Sequence, residues 1–190
     1  MARPRSEDKR NAILEAATKV FAEQGASAPT ARIARAAGVA EGTLFTYFES
    51  KDALLNELYL TIKAGLRETM LDGYPQRAAL RERAQHVWVA YVNWGVAHPE
   101  GRKVMAQLTV SERVSVESKS LGSAPFGGVQ EMLKEAMAKG VLRDLSPAFV
   151  GALLSAMAET TIGFIEREPR HAKRYREAGF EAFWNAIAKT

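Results

Sequence analysis

Apolar residues along this chain recur at the spacing of one face of an α-helix. Ile13, Ala16, Ala17, Val20 and Phe21 fall at i, i+3, i+4, i+7 and i+8, which lines them up on one side of a helix predicted over residues 7–24. Ser6 is placed to cap its start, and Gly25 to end it in the left-handed conformation. A second helix is predicted from Pro29, because proline suits a first helical position, where its missing N–H costs nothing. Ile33, Ala34 and Ala37 face inward there, and Gly38 stops it. A third begins at Glu41 or Gly42, with Leu44 and Phe48 inward. After a break at Glu49-Ser50, Ser50 caps a fourth over residues 51–70, which carries Leu54, Leu55, Leu58, Ile62 and Leu66 along one side.

Asp72-Gly73-Tyr74-Pro75 interrupts the pattern, which resumes over residues 76–97, 101–113, 128–138, 146–168 and 170–188. His98-Pro99, Lys139-Gly140 and Pro169 separate these helices, and Ser146-Pro147 supplies a cap followed by proline at the first position. The run 118–128, with Gly122, Pro125, Gly127 and Gly128 among small residues, reads as the least ordered part. No useful length alternates apolar and polar residues, and no Asn-Gly or Asp-Gly hairpin signal lies between alternating runs. The expected fold class is all-α with about nine helices. An N-terminal three-helix bundle over residues 1–53 precedes a larger helical domain over residues 54–190.

At 190 residues the chain can bury one full core or two small ones, and 47% hydrophobic with 25% charged residues is ordinary for a globular protein. The absence of cysteine removes disulfides, thiolate zinc sites and cysteine nucleophiles, and fits a reducing compartment. MARPRSEDKR has no apolar stretch behind its basic residues, so it does not read as a secretory signal. No window approaches the roughly 18 continuous apolar residues of a membrane span. The expected location is the cytoplasm, without a membrane partner. His86, His98 and His171 lie far apart with no ligand-type neighbour at helical spacing, so neither a metal site nor a cofactor is expected. No Ser-His-Asp pattern or phosphate-binding glycine loop supports an enzyme. The net charge of +4 permits an anionic partner without establishing one.

Candidate chemistry concentrates in residues 28–51, where two short helices meet at Gly38. A helix-turn-helix reverses direction tightly at such a point, and Val39 can plug the angle between the helices. The second helix presents Glu41, Gly42, Thr43, Phe45, Thr46 and Tyr47 outward, while Leu44 and Phe48 anchor it. A glycine there permits close approach, and hydroxyls reach phosphates. Lys51 follows, where its ammonium can meet a backbone phosphate. A Gly-Val turn alone fits a plain connection between core helices equally well. The solvent-facing pair Phe45 and Tyr47 tips the balance towards an external partner, the DNA major groove.

Ile33-Ala34, Ala37-Gly38-Val39, Gly42-Thr43-Leu44-Phe45, Tyr47-Phe48, Lys51 and Leu54 stand at the spacing of a known signature. Over roughly residues 8–60 the chain resembles the TetR family of bacterial transcriptional regulators. The resemblance implies phosphate contacts from Thr30, Thr43, Tyr47 and Lys51, and base-edge contacts from Ala31, Glu41, Gly42 and Thr46. Phe45 stands where that family usually has tyrosine, which leaves ring packing without the hydroxyl. Ala28-Pro29 replaces the usual threonine cap. Glu41 has two readings: it accepts a hydrogen bond from a cytosine amino group, or it stabilises its helix through the positive N-terminal dipole. The basic arm of Arg3, Arg5, Lys9 and Arg10 is expected to add sequence-independent contacts to DNA.

One helix-turn-helix makes few base contacts, so a homodimer reading paired half-sites is expected. Phe149, Leu153 and Phe164 in one C-terminal helix, and Phe180, Phe183 and Trp184 in the last, supply apolar faces for it. Gly151, Ser155 and Gly163 form a neighbouring strip of small residues. One face of each helix must also pack within its own chain. The resemblance further implies an effector pocket in the middle helices. Trp88, Tyr91, Trp94, Met105, Leu108, Phe126, Met132, Met137 and Met157 suit either a mostly apolar ligand site or plain core. The basic run Arg167, Arg170, Lys173, Arg174 and Arg176 reads as a solvated face. The expected function is a transcriptional regulator, a repressor bound to a palindromic double-stranded DNA operator and released by a small apolar effector. The alternative is an architectural DNA binder on the same scaffold that answers to no ligand.

Overall fold

The computed structural model of the chain describes residues 7–124 and 127–189. Among them are ten α-helices, one 3-10 turn and no strand beyond a single antiparallel bridge between Leu142 and Ala188. The helices are α1 (Glu7–Gln24), α2 (Thr30–Ala36), α3 (Glu41–Tyr47), α4 (Lys51–Leu71), α5 (Leu80–Ala97), α6 (Pro99–Val110), α7 (Val116–Ser123), α8 (Gly127–Ala138), α9 (Pro147–Arg167) and α10 (Ala172–Ile187). The predicted cap Ser6, the arm residues Arg3 and Arg5, and Phe126 lie outside the described residues.

Two compact units divide the chain: residues 1–64 with 99–122, and residues 65–98 with 123–190. In the first, Ile13, Ala17 and Phe21 of α1 are fully buried, as are Ile33 of α2, Leu44 of α3, and Leu54 and Leu55 of α4. The stripe read from the sequence is therefore the core of this bundle. This unit takes in more than residues 1–53, because α6 packs against α1 and buries Val104 and Leu108.

Several helix starts differ from expectation; α6, for one, begins at Pro99 rather than at residue 101. Pro29 is the residue before α2, with φ −64° and ψ 142°, and the helix begins at Thr30. The proline ring suits this half-in position as well as the next, because φ is the same in both. Residues 75–78 form a turn closed by Ala78 N–H to Pro75 O at 3.0 Å, so α5 starts at Leu80 rather than at residue 76. The larger correction is α7, which occupies most of the stretch expected to be least ordered. Ser115 caps it, accepting from the Ser118 N–H at 3.1 Å, and Glu117 lies in its first turn. Gly122, taken as a breaker, is a packing residue. A Cβ there would collide with Cε1 of the fully buried Tyr59.

The second unit is built on α5, α9 and α10, which pack against one another. Trp88 of α5 is fully buried, stacks on Phe183 with ring centres 5.6 Å apart, and donates from Nε1 to the Arg176 carbonyl at 2.9 Å. Gly179 lets α10 approach: a Cβ there would collide with Thr161 Oγ1 and lie 2.6 Å from Trp88 Cζ2. Ser146 caps α9, accepting from the Phe149 N–H at 3.2 Å, with Pro147 at the first position as expected. α8 is held to α5 by the buried Arg83, which bonds Glu135 at 2.5 Å and the Tyr74 hydroxyl at 3.1 Å. α9 is long and apolar enough to cross a membrane by length and composition, contrary to the sequence expectation that no segment qualifies. Its buried residues, Val150, Ala158, Ile162 and Ile165, are core, Leu153, Leu154 and Met157 are half-buried, and Phe149 and Phe164 are exposed.

Candidate nucleic-acid interface

The turn between α2 and α3 is closed by backbone chemistry alone. Gly38 takes φ +68°, its N–H bonds the Arg35 carbonyl at 3.2 Å, and the Val39 N–H bonds the Ala34 carbonyl at 3.0 Å. This pair of bonds is the Schellman ending of a helix, and the positive φ it needs favours glycine. Leu44 and Phe48, both buried, hold α3 against the bundle. The Ser50 hydroxyl accepts from the Ala53 N–H at 3.0 Å and starts α4.

With Leu44 turned inward, Glu41, Gly42, Phe45 and Thr46 are exposed, and Thr43 and Tyr47 are half-buried. Phe45, a large apolar side chain, is 42% exposed. Gly42 has no positive φ, and nothing lies within 4 Å of where its Cβ would stand. Neither backbone strain nor internal packing requires glycine there. Thr46 bonds its hydroxyl back to the Gly42 carbonyl at 3.1 Å. Ala31 is exposed and Thr30 half-buried on α2. The Thr30 hydroxyl donates to Glu41 Oε1 at 2.6 Å, which joins the first residues of the two helices.

Lys51 is half-buried, with Nζ 5.8 Å from the centre of the Phe21 ring. Burial, and next the positive charge of Arg113, lower its pKa from the ordinary lysine value, and Asp52 offsets part of this. Arg113 was not among the residues expected near this site. It follows α6, and its Nε bonds Asp52 Oδ1 at 2.6 Å. Asn56 clamps the same segment to α4 by donating to the Arg113 carbonyl at 3.1 Å and accepting from the Ser115 N–H at 2.9 Å. Nothing local in sequence links residues 52 and 113. Within the basic arm, Arg10 is engaged in the bundle instead, paired with Glu57 and lying over the Phe48 ring; Lys9 is exposed.

The residues expected around an effector are distributed over both units. Trp88, Tyr91, Trp94 and Met132 are buried in the second, where Met157 is half-buried and Met137 exposed. Met105 and Leu108 are buried in the first. The Tyr91 hydroxyl lies 3.4 Å from Ser155 Oγ. The faces expected at a dimer interface divide sharply. Phe149 and Phe164 are 50% and 39% exposed, and Leu153 and Trp184 are half-buried. Phe180 and Phe183 are only 1% and 4% exposed, so the protomer's own core takes them. The physical reason is the Gly179 contact, which draws that face of α10 onto Trp88. Among the described residues no cluster of three or more His, Asp or Glu side chains is placed to hold a metal ion.

A short turn-linked helix pair with an exposed, partly apolar second helix defines the helix-turn-helix class of DNA-binding proteins. Residues 13–58 match the model of the bacterial regulatory proteins of the tetR family. Taken whole, the chain superposes on a tetR-family transcription regulator from Shewanella sp. PV-4 with a TM-score of 0.86 and 29% identity, covering 98% of this chain and 100% of that one. A second such regulator, from Marinobacter aquaeolei VT8, shares the fold at a TM-score of 0.83, 21% identity and 97% coverage of each chain. Among curated relatives, the HTH-type transcriptional regulator YhgD of Bacillus subtilis (strain 168) is 27% identical over 129 residues, 67% of this chain and 61% of that protein. The HTH-type transcriptional repressor KstR2 of Rhodococcus jostii (strain RHA1) is 36% identical over 77 residues, 38% of each. The match thus spans less than two thirds of the length of these two curated relatives. Residues 13–58 thus match the DNA-binding module of the tetR family, and these relatives are transcriptional regulators.

Proposed function

We propose that this protein is a cytoplasmic transcriptional regulator that acts as a repressor, bound as a homodimer to a palindromic DNA operator and released by a small, mostly apolar effector. The observation that carries DNA binding is α3, where an exposed phenylalanine stands beside a glycine that nothing inside the chain requires. Dimerisation is supported by α9. Phe149 and Phe164 are exposed on it, and Gly151 and Gly163 have nothing within 4 Å of a would-be Cβ, so another helix can approach closely. A palindromic operator with half-sites one DNA turn apart would require its two recognition helices to be roughly 34–36 Å apart. An effector then weakens repression only as far as it prefers a conformation with a different separation.

Support for an apolar effector comes from Trp88, Tyr91, Trp94, Met132 and Met157 in the second unit, where the Tyr91–Ser155 contact supplies polar groups. Two relatives point the same way. The fatty acid metabolism regulator protein of Bacillus subtilis (strain 168) is 33% identical over 72 residues, and a Bacillus subtilis regulator that shares the fold was crystallised with stearoyl-CoA. The test is selection of binding sites from random double-stranded DNA, followed by anisotropy titration of the selected site at several salt concentrations. A palindromic site bound with a steep salt dependence is expected. Absence of any enriched sequence would refute operator binding. Failure of long-chain acyl compounds and other apolar molecules to release the DNA would favour the ligand-independent architectural role.

A further inference from the structure

We propose that Glu41 reads a cytosine in the major groove, and that Thr30 positions it rather than contacting a phosphate. The proposal rests on the operator-binding function above. Thr30 begins α2 and Glu41 begins α3, and the Thr30 hydroxyl donates to Glu41 Oε1 at 2.6 Å. A hydroxyl has one proton. While it is directed at Glu41, it is not available to a DNA phosphate.

The bond has two consequences for the carboxylate. It restrains a side chain with several rotatable bonds before DNA arrives, which lowers the ordering loss on binding. It also engages one carboxylate oxygen and leaves Oε2 as an acceptor. In the major groove the donors are the amino groups of cytosine and adenine, and adenine places its N7 acceptor beside the amino group, opposing a carboxylate. Cytosine presents the amino group without that neighbour. Glu41 is exposed, and the adjoining Gly42 has open space where a side chain would stand, so the backbone next to Glu41 does not hold a base edge away. A dipole-only role for Glu41 needs no partner on α2 and offers no base preference.

The experiment uses the full chain and the operator selected from random DNA, with each position of a half-site varied to all four base pairs. For the unaltered protein one position should favour cytosine by about tenfold, within the range for a single good base contact. Glu41→Ala should flatten that position alone and leave the other preferences standing. Glu41→Gln should shift it towards adenine, whose N6 and N7 suit an amide. Thr30→Val should reduce the cytosine preference severalfold, and Thr30→Ser, which keeps the hydroxyl, should restore it. A uniform affinity change from Glu41→Ala, with all base preferences retained, overturns the assignment. An unaltered cytosine preference in Thr30→Val overturns the positioning role. If the unaltered protein enriches no sequence at all, the failure belongs to operator binding and not to this pair.

Discussion

At single residues, the interface is defined as much by what is missing as by what is present. Gly42 sits in the first turn of α3 with an ordinary helical φ and empty space at its Cβ direction. Alanine there should raise helix stability by about 0.5–1 kcal/mol, since glycine is the poorer helix former. On the proposed operator-binding role it should nonetheless weaken operator binding by about tenfold or more, because the added methyl would stand where that role brings a base edge. Thermal melting and a DNA titration on one preparation check both halves, and parallel changes in stability and affinity would contradict the close-approach role. Lys51 makes a different kind of contribution. Its ammonium is disfavoured by burial and by Arg113, and Asp52 offsets only part of this, so a phosphate beside it would offset the remainder. Lys51→Gln should reduce the slope of log affinity against log salt by about one per half-site, with little change in base preference. Most of these residues were legible in sequence because their spacing is local. Arg113 was not, because it reaches Asp52 from 61 positions away.

Whole helices show how one residue type carries opposite meanings. Gly179 and Gly163 both lie in C-terminal helices, yet a Cβ at Gly179 would collide with Thr161 and Trp88, whereas one at Gly163 meets nothing. Gly179→Ala should therefore destabilise the protomer by about 1–3 kcal/mol, the usual cost of overpacking a core. Gly163→Leu should leave the protomer's fold intact and weaken its self-association. Urea unfolding of the first variant and sedimentation of the second test this, and an unchanged dimer in Gly163→Leu would remove α9 from the proposed interface. The same ambiguity explains α7. A run rich in glycine suggests loop by composition, but Gly122 and Gly128 are small because Tyr59 and Tyr74 press against them. Periodicity located helices well wherever glycine marked an end, as at Gly38 and Gly140 with φ +68° and +64°. It missed α7, where Gly122 marks a contact with Tyr59.

At the scale of the molecule, the second unit carries a polar staple whose strength depends on pH. Side-chain hydrogen bonds from Lys139 and from Arg83 hold the Glu135 carboxyl below its ordinary value of 4.5. Its folded pKa thus lies below its unfolded one, so the stabilisation is complete above that ordinary value and is lost as the pH falls through the folded pKa. Protonation also leaves the buried Arg83 guanidinium with the Tyr74 hydroxyl and the Gly128 carbonyl as its remaining partners. Unfolding free energy should therefore decline as the pH drops below 4.5. Glu135→Gln should lower stability at neutral pH and flatten that part of the profile. Chemical denaturation between pH 3 and pH 7, about the span over which carboxylates titrate, provides the measurement. An identical slope in the variant would mean other carboxylates govern acid unfolding.

Sequence by itself determined the helices other than α7, the turn at Gly38 and the anchoring of α3 by Leu44 and Phe48. Each of these depends on hydrogen bonds or side-chain periodicity within about one or two helical turns, which neighbouring residues dictate. It also singled out residues 28–51 as the candidate interface. Tertiary structure alone decided which apolar side chains are core and which are exposed: Phe180 and Phe183 match Phe149 and Phe164 in chemistry, but only the first pair is buried, with Phe183 stacked on Trp88. It likewise decided the partner of Glu41. Thr30 is eleven positions away, and only the packing of α2 against α3 brings its hydroxyl to the carboxylate. Local chemistry specifies where a helix starts and stops, whereas the neighbour of a side chain depends on every helix that competes for the same surface.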